Sequence, residues 1–287
     1  YRLIDIQFLT KTQQVLYIFR DKQNRKVFHK ANDDYYCYRI KDGKPAKRIV
    51  PYEDVTQIMV KYKDRYNLDP DVTYEGDVRI TAKHAMDYYH FNKGECKRTH
   101  NNIMFFDIEV DTGNERVFPT ATEARFPINM LTTIFHGNKT CYVVDNKTEV
   151  IVRTKGVNYK IFKNEKEMMK EFIKDFRSTD PDFIAGWNAI NFDLSYIYTR
   201  LPQIGLKPYQ LSQFNEIYID GEKFVCHIPG CVAIDQDFLY RTFTFTKMEN
   251  YKLGFIAQHE LGVTKIDLPL PFNEMYWKML NLSIEYN

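Results

Sequence analysis

The sequence predicts an α/β fold, a mixed sheet preceded by a small α+β domain. Three observations carry that expectation. From residue 103 three strand-like runs follow one another, "IMFFDIEV", "NMLTTIFH" and "TCYVVD". An amphipathic helix, "NEKEMMKEFIKDFRS", then leads to a short apolar strand, "DFIAGW", and a second helix follows, "DLSYIYTRL". A helix between two strands is the crossover by which a strand rejoins an existing sheet, and functional groups are then expected at strand ends.

Taken in order, the first hundred residues read as short strands, "VLYIFRD", "KVFHK" and "YYCYRI". Turn signals such as "KDGKP" separate them, and an amphipathic stretch near "YEDVTQIMVKYKDRY" follows. Residues 1–102 are therefore expected to form an N-terminal domain and residues 103–287 a second one. In the long helix Asn164 is placed to cap, and Glu167 stands at the capping-box position. Met168, Met169, Phe172, Ile173 and Phe176 share one face. After the second helix, "NEIYIDGEKFVCHI" reads as a hairpin whose Asp220-Gly221 is a two-residue turn signal, and "CVAID" returns as a strand. No internal repeat is visible.

Composition narrows the class. Of 287 residues 44% are hydrophobic and 27% charged, the balance of a soluble globular chain long enough to bury a core. No apolar run approaches the ~20 residues of a membrane span and none reads as a signal peptide, so a cytoplasmic protein without membrane contact is expected. Five scattered cysteines argue for reduced thiols. Cys226, His227 and Cys231 cluster, but three ligands without a fourth make a poor zinc site, and a strand end is the simpler reading. The formal charge of +2 hides an asymmetry: residues 1–102 hold 20 Lys and Arg against 14 Asp and Glu, and residues 103–287 hold 20 against 24. A basic excess on the first segment is compatible with a phosphate backbone, as it is with a solvated surface of mixed sign. The chain starts on Tyr1 without a methionine and stops in a helical stretch, "LNLSIEYN", so it is expected to be part of something longer.

Two acids interrupt the first strand of the sheet domain. Asp107 and Glu109, spaced i and i+2 on a strand, point to one face, where two adjacent carboxylates repel and a divalent cation would relieve them. Acid pairs at this spacing are common here: Asp69/Asp71, Glu75/Asp77, Asp180/Asp182, Asp220/Glu222 and Asp235/Asp237 are read as bystanders. What separates Asp107 and Glu109 is the apolar run around them. Asp193, in "GWNAINFD" after Asn188 and Phe192, falls just past a strand in the first turn of a helix, where the dipole favours an anion; a capping acid would sit there too.

Together "FFDIEV" and "GWNAINFD" closely resemble the first two motifs of the 3′→5′ proofreading exonuclease domain of family B DNA polymerases. The resemblance continues through "FPTATEARFPINMLTTI", "FKNEKEMMKEFIKDF" and "FLYRTFTFTKMENYKLGFIAQHELGVTKIDL", which look like the polymerases of tailed phages. It covers most of residues 103–287; residues 1–102 match only loosely, best at "VTYEGDV". It implies a ribonuclease H-like exonuclease domain, with Asp107, Glu109 and Asp193 as ligands of two Mg²⁺ or Mn²⁺ ions. Phe118, Asn188 and Phe192 would meet the substrate strand, with Phe118 against the frayed 3′ end, and the hairpin at Asp220-Gly221 would help part primer from template. Tyr286 would begin the third motif and orient the attacking water or the scissile phosphate, and the motif's Asp would fall three positions past Asn287. The implied partners are primer-template DNA, single-stranded 3′ ends and the rest of a polymerase (palm, fingers and thumb), in cis or in trans. Two other classes fit many of these features: a free-standing ribonuclease H-like exonuclease, and a non-catalytic nucleic-acid-binding subunit of a split polymerase. The first needs a final Asp of its own, and the second has no need of intact acids at 107, 109 and 193.

Overall fold

The first unit, Tyr1–Thr99, is built from short antiparallel strands. The computed structural model describes residues 2–10, 12–41, 52–92, 102–115, 117–220, 225–264, 266 and 269–286. Strands β1 (Arg2–Leu9), β2 (Gln14–Arg20) and β3 (Lys26–Asn32) form one sheet; β4 (Asp34–Ile40), β5 (Val55–Lys61) and β6 (Thr73–Tyr74) form another in the order β5-β4-β6. Helix α1 (Ile80–Phe91) contributes Ile80 to a core with Val15, Tyr35 and Cys37. The amphipathic stretch is thus strand β5 between two 3-10 turns, with Val55, Ile58 and Val60 its half-buried apolar residues. The turn at "KDGKP" and Cys96 lie outside the described residues.

The second unit, His100–Asn287, is organised by the strand that carries the acid pair. Strand β7 (Ile103–Val110) pairs antiparallel with β8 (Ile128–Phe135), and β8 with β9 (Asn138–Val144). A further edge strand, β10 (Val157–Phe162), lies parallel to β9; sequence reading missed it because none of its residues is fully buried and its half-buried positions, Val157, Tyr159, Lys160 and Phe162, include a lysine and do not alternate. Helix α2 (Glu165–Thr179) crosses to β11 (Phe183–Gly186), which pairs parallel with β7. Asn164 caps α2 by accepting the Glu167 N–H at 2.9 Å, and its five apolar residues are all buried, as the spacing predicts. A π-type turn, Ile190–Leu194, precedes α3 (Ser195–Gln203). Strands β12 (Tyr218–Asp220) and β13 (Val225–His227) pair antiparallel, as the hairpin expectation requires, but Asp220 faces Val225. That register leaves residues 221–224 between the strands, where a two-residue Asp220-Gly221 turn would have paired Ile219 with residue 222. The loop itself lies outside the described residues. Strand β14 (Val232–Asp235) joins β11 in parallel and completes a six-stranded sheet of order β10-β9-β8-β7-β11-β14. Helices α4 (Gln236–Phe243), α5 (Leu253–Leu261), α6 (Phe272–Lys278) and α7 (Leu280–Tyr286) follow.

Each face of the sheet has its own core. Met104, Phe106, Ile108 and Val110 enter the main cluster with Met168, Phe172 and Tyr196 from α2 and α3. On the other face Met130, Cys141 and Val143 pack with Tyr276, Leu280 and Ile284 of α6 and α7. Among the described residues no helix is long and apolar enough to cross a membrane.

Candidate active site

Strand β7 alternates strictly, and its even residues from Met104 to Val110 are buried while Asp107 is exposed and Glu109 half-buried. The two acids therefore share one face. Cross-strand register continues that face from Glu109 to Met130 and Val143, and from Asp107 through Thr132 to Cys141, toward the cluster under α6 and α7. Leu280 and Ile284 of α7 pack into that cluster, and the helix ends at Tyr286, whose side chain lies outside the described residues.

The third acid arrives from the neighbouring strand. Strand β11 pairs with β7 only from Ile103 to Phe105 and then leaves the sheet. Gly186 allows this departure, because a Cβ there would lie 2.8 Å from the Phe106 carbonyl oxygen and 2.8 Å from the Ala189 Cβ. Past that point the β7 edge has no strand partner among the described residues, and the Asp193 carboxylate takes the position: Oδ1 accepts the Ile108 N–H at 3.1 Å. Asp193 is 4% exposed. Burial raises its pKa well above the usual carboxylate range, and the charge of Asp107 and then of Glu109 raises it further, against the Ile108 N–H, which lowers it. Asp193 does not cap α3, which has no side-chain cap. The π-type turn is held by Phe192 N–H to Asn188 O at 3.1 Å, Leu194 N–H to Ala189 O at 2.9 Å and Ser195 Oγ to Ile190 O at 2.8 Å. Such turns recur at functional sites because they aim a side chain that a regular helix would place elsewhere.

Phe192 directly precedes Asp193 and meets a second aromatic ring. Phe118 is 83% exposed, which removes it from the core, and its ring centre lies 5.7 Å from that of Phe192. Phe192 in turn meets Tyr196 at 5.4 Å. Asn188 is exposed with φ of 61°, and its Oδ1 accepts from Asn191 Nδ2 at 3.2 Å. Sequence reading also set aside a residue that the structure brings in. Asp235, ranked among the bystander pairs, is 6% exposed and accepts N–H bonds from the turn before Asp193. Its position at the end of an apolar strand and before a helix was the available signal.

Among the described residues, no three His, Cys, Asp or Glu side chains are already gathered closely enough to hold a metal ion. Cys226 and Cys231 are buried in the main core.

A carboxylate-bearing central strand, a third carboxylate from the turn after its parallel neighbour and α/β layering define a ribonuclease H-like nuclease domain. The comparisons are specific. The model of the DNA polymerase family B exonuclease domain matches residues 60–255, more than half of the chain. The DNA-directed DNA polymerase of Escherichia phage RB69 is 24% identical over 225 residues, 67% of this chain and 25% of that polymerase. That of Enterobacteria phage T4 is 30% identical over 140 residues, 46% of this chain and 16% of that protein. The DNA polymerase delta catalytic subunit of Schizosaccharomyces pombe is 27% identical over 188 residues, 58% and 16% of the two chains. The chain belongs to the family B DNA polymerases through their exonuclease domain, and each match spans a quarter or less of the relative's length.

Proposed function

We propose that this chain is the N-terminal and proofreading 3′→5′ exonuclease part of a replicative family B DNA polymerase of the tailed-phage type. The observation that carries the reading is that the Asp193 carboxylate lies against the backbone of Ile108, whose chain neighbours Asp107 and Glu109 are near enough for their charges to raise its pKa. The donor set fits a hard divalent cation in kind, because it is all oxygen, and in charge, because positive charge relieves a buried carboxylate repelled by two others. Asp107, Glu109 and Asp193 would hold Mg²⁺ or Mn²⁺, which when bound lowers the pKa of an attacking water and stabilises the leaving 3′ oxygen. Phe118 and Phe192 offer an unpaired terminal base an aromatic face. Stacking accepts any base, as proofreading requires. Asn188 would bind the same strand from the turn, and Tyr286 would orient the water or the scissile phosphate. The partners are then primer-template DNA and the palm, fingers and thumb of the polymerase, in the cytoplasm of the host cell.

The test is digestion of a 5′-labelled single strand by the full-length protein. Stepwise shortening from the 3′ end in Mg²⁺ or Mn²⁺, abolished by chelator, is expected. Binding of the strand without digestion in either metal would leave a non-catalytic binding module as the reading.

A further inference from the structure

Asp235 holds two elements with one carboxylate. It ends β14 in register with Gly186 of β11, so it lies beside the point where the chain leaves the sheet toward Asp193. Its Oδ1 accepts the N–H of Asn188 at 3.1 Å, and its Oδ2 that of Ile190 at 3.4 Å. The same Oδ1 accepts from Asp237 at 3.0 Å and Phe238 at 3.4 Å, capping α4. Four backbone donors on one buried carboxylate fix its orientation and, through it, theirs.

We infer that Asp235 is a positioning residue for the exonuclease site, clamping the turn that aims Asp193. This rests on the function proposed above. The path is short. Asn188 donates to Asp235 through its N–H and accepts from Phe192 through its carbonyl, and Ile190 likewise donates to Asp235 and accepts from Ser195. The residues on both sides of Asp193 thus depend on a segment that Asp235 holds. Asn188 also sits at φ 61°, a left-handed conformation that L-residues other than Gly adopt at a cost, and the clamp opposes its relaxation. Without the clamp, Asp193 would lose its fixed distance to Asp107 and Glu109. A displacement of about 1 Å in such a site costs roughly 100-fold in rate.

The competing explanation is that Asp235 serves only as the cap of α4, and Asp235→Ser separates the two. Serine caps a helix about as well as aspartate, but its single hydroxyl cannot reach Asn188 and Ile190 as well. In the full-length protein, Asp235→Ser should lower kcat on single-stranded DNA at least tenfold and leave KM within about twofold. Hydrogen–deuterium exchange of the metal-free protein should speed up at least tenfold across residues 187–193, with residues 236–243 as protected as in wild type. Asp237→Asn, which alters the first turn of α4 through its bond to Arg241 only, should match wild type in both readouts. Wild-type kcat and exchange in Asp235→Ser would overturn the inference. So would exchange that rises in α4 alone. If Asp235→Ser does not fold, Asp235→Asn keeps Oδ1, sets an amide nitrogen against the Ile190 N–H, and is read in the same way. Asp107→Ala runs alongside: an inactive Asp107→Ala with a normal Asp235→Ser sinks the clamp alone. An active Asp107→Ala sinks the site assignment, and the exchange data then decide whether Asp235 holds the turn.

Discussion

The Asp193 carboxylate accepts the backbone N–H of Ile108, whose neighbours in the chain are Asp107 and Glu109. A residue 85 positions away thus occupies the place of a missing strand partner and brings its charge beside two others. Asp107→Ala and Glu109→Ala each remove a proposed ligand from the face of β7 that is not in the main core. Both should abolish metal-dependent 3′ digestion, and in chelator both should unfold no earlier than wild type, because each relieves repulsion on Asp193. Thermal melts with and without Mg²⁺, run beside the digestion assay, check both halves. Digestion near the wild-type rate by either variant would contradict the assignment.

Phe118 and Phe192 predict substrate preference. A matched duplex must unpair before its terminal base can reach the rings, so single-stranded ends should be digested faster. Base-to-aromatic stacking is worth about 1–3 kcal/mol, so Phe118→Ala should weaken single-strand binding by roughly 5- to 150-fold and leave stability unchanged. Fluorescence anisotropy with a labelled oligonucleotide measures the first effect and urea unfolding the second.

Gly186→Ala tests the departure of β11 from the sheet. The new Cβ would meet a backbone oxygen and another Cβ, both at 2.8 Å, and neither can swing aside. Overpacking of this kind costs roughly 1–3 kcal/mol. The digestion rate should fall by more than the loss of folded protein explains, because the strain lies directly before the Asp193 turn. Equal losses in the two measurements would show that the close approach supports folding only.

How much of this was legible in the sequence depended on the range of the interactions. Asn164 with its apolar stripe, and Asp107 with Glu109, obey local periods, so helix α2 and the shared acid face follow from spacing alone. The long-range partners do not. Nothing near Asp193 announces the Ile108 N–H, because that donor exists only where β11 stops short of β7. Asp235 looked like other acids since its value lies in donors 45 and 47 positions away. The hairpin strands were visible, but their register was not, because Asp-Gly marks a turn without setting the number of loop residues.

The four cysteines among the described residues should be silent in the native state. Burial pushes the Cys141 thiol up to about 12 and raises those of Cys37 and Cys226. At pH 8 a thiol of that pKa is only about 10⁻⁴ thiolate, and the thiolate is the nucleophile. Ellman's reagent should therefore titrate at most one thiol promptly in native protein, Cys231 being buried as well, and all five in guanidinium. Prompt reaction of two or more would mean that the cores holding them open readily.

The last prediction concerns the ion pair behind the Phe118 loop. Arg200 on α3 meets Glu165 at the start of α2 in a bidentate pair, Nε to Oε1 at 2.9 Å and Nη2 to Oε2 at 2.8 Å. Their side chains are 13% and 10% exposed. Glu165 also accepts the Ile128 N–H at 2.8 Å, and Arg200 Nη1 donates to the carbonyl oxygens of Ala124 and Arg125. One pair therefore joins two helices, the start of β8 and the segment that leads from Phe118 into the sheet. Removing one member of a largely buried pair strands the other charge, at a cost of about 3–5 kcal/mol. Glu165→Ala should lose that much in urea unfolding with an unchanged m-value. The Glu165→Ala, Arg200→Met double variant should recover part of it, since no buried charge is then left alone. Single-strand affinity should fall in both variants, because both release the Ala124 and Arg125 carbonyls or the helix that holds them. A double variant as unstable as the sum of the two single changes would show that the pair's members act independently, and the joint would then lie elsewhere.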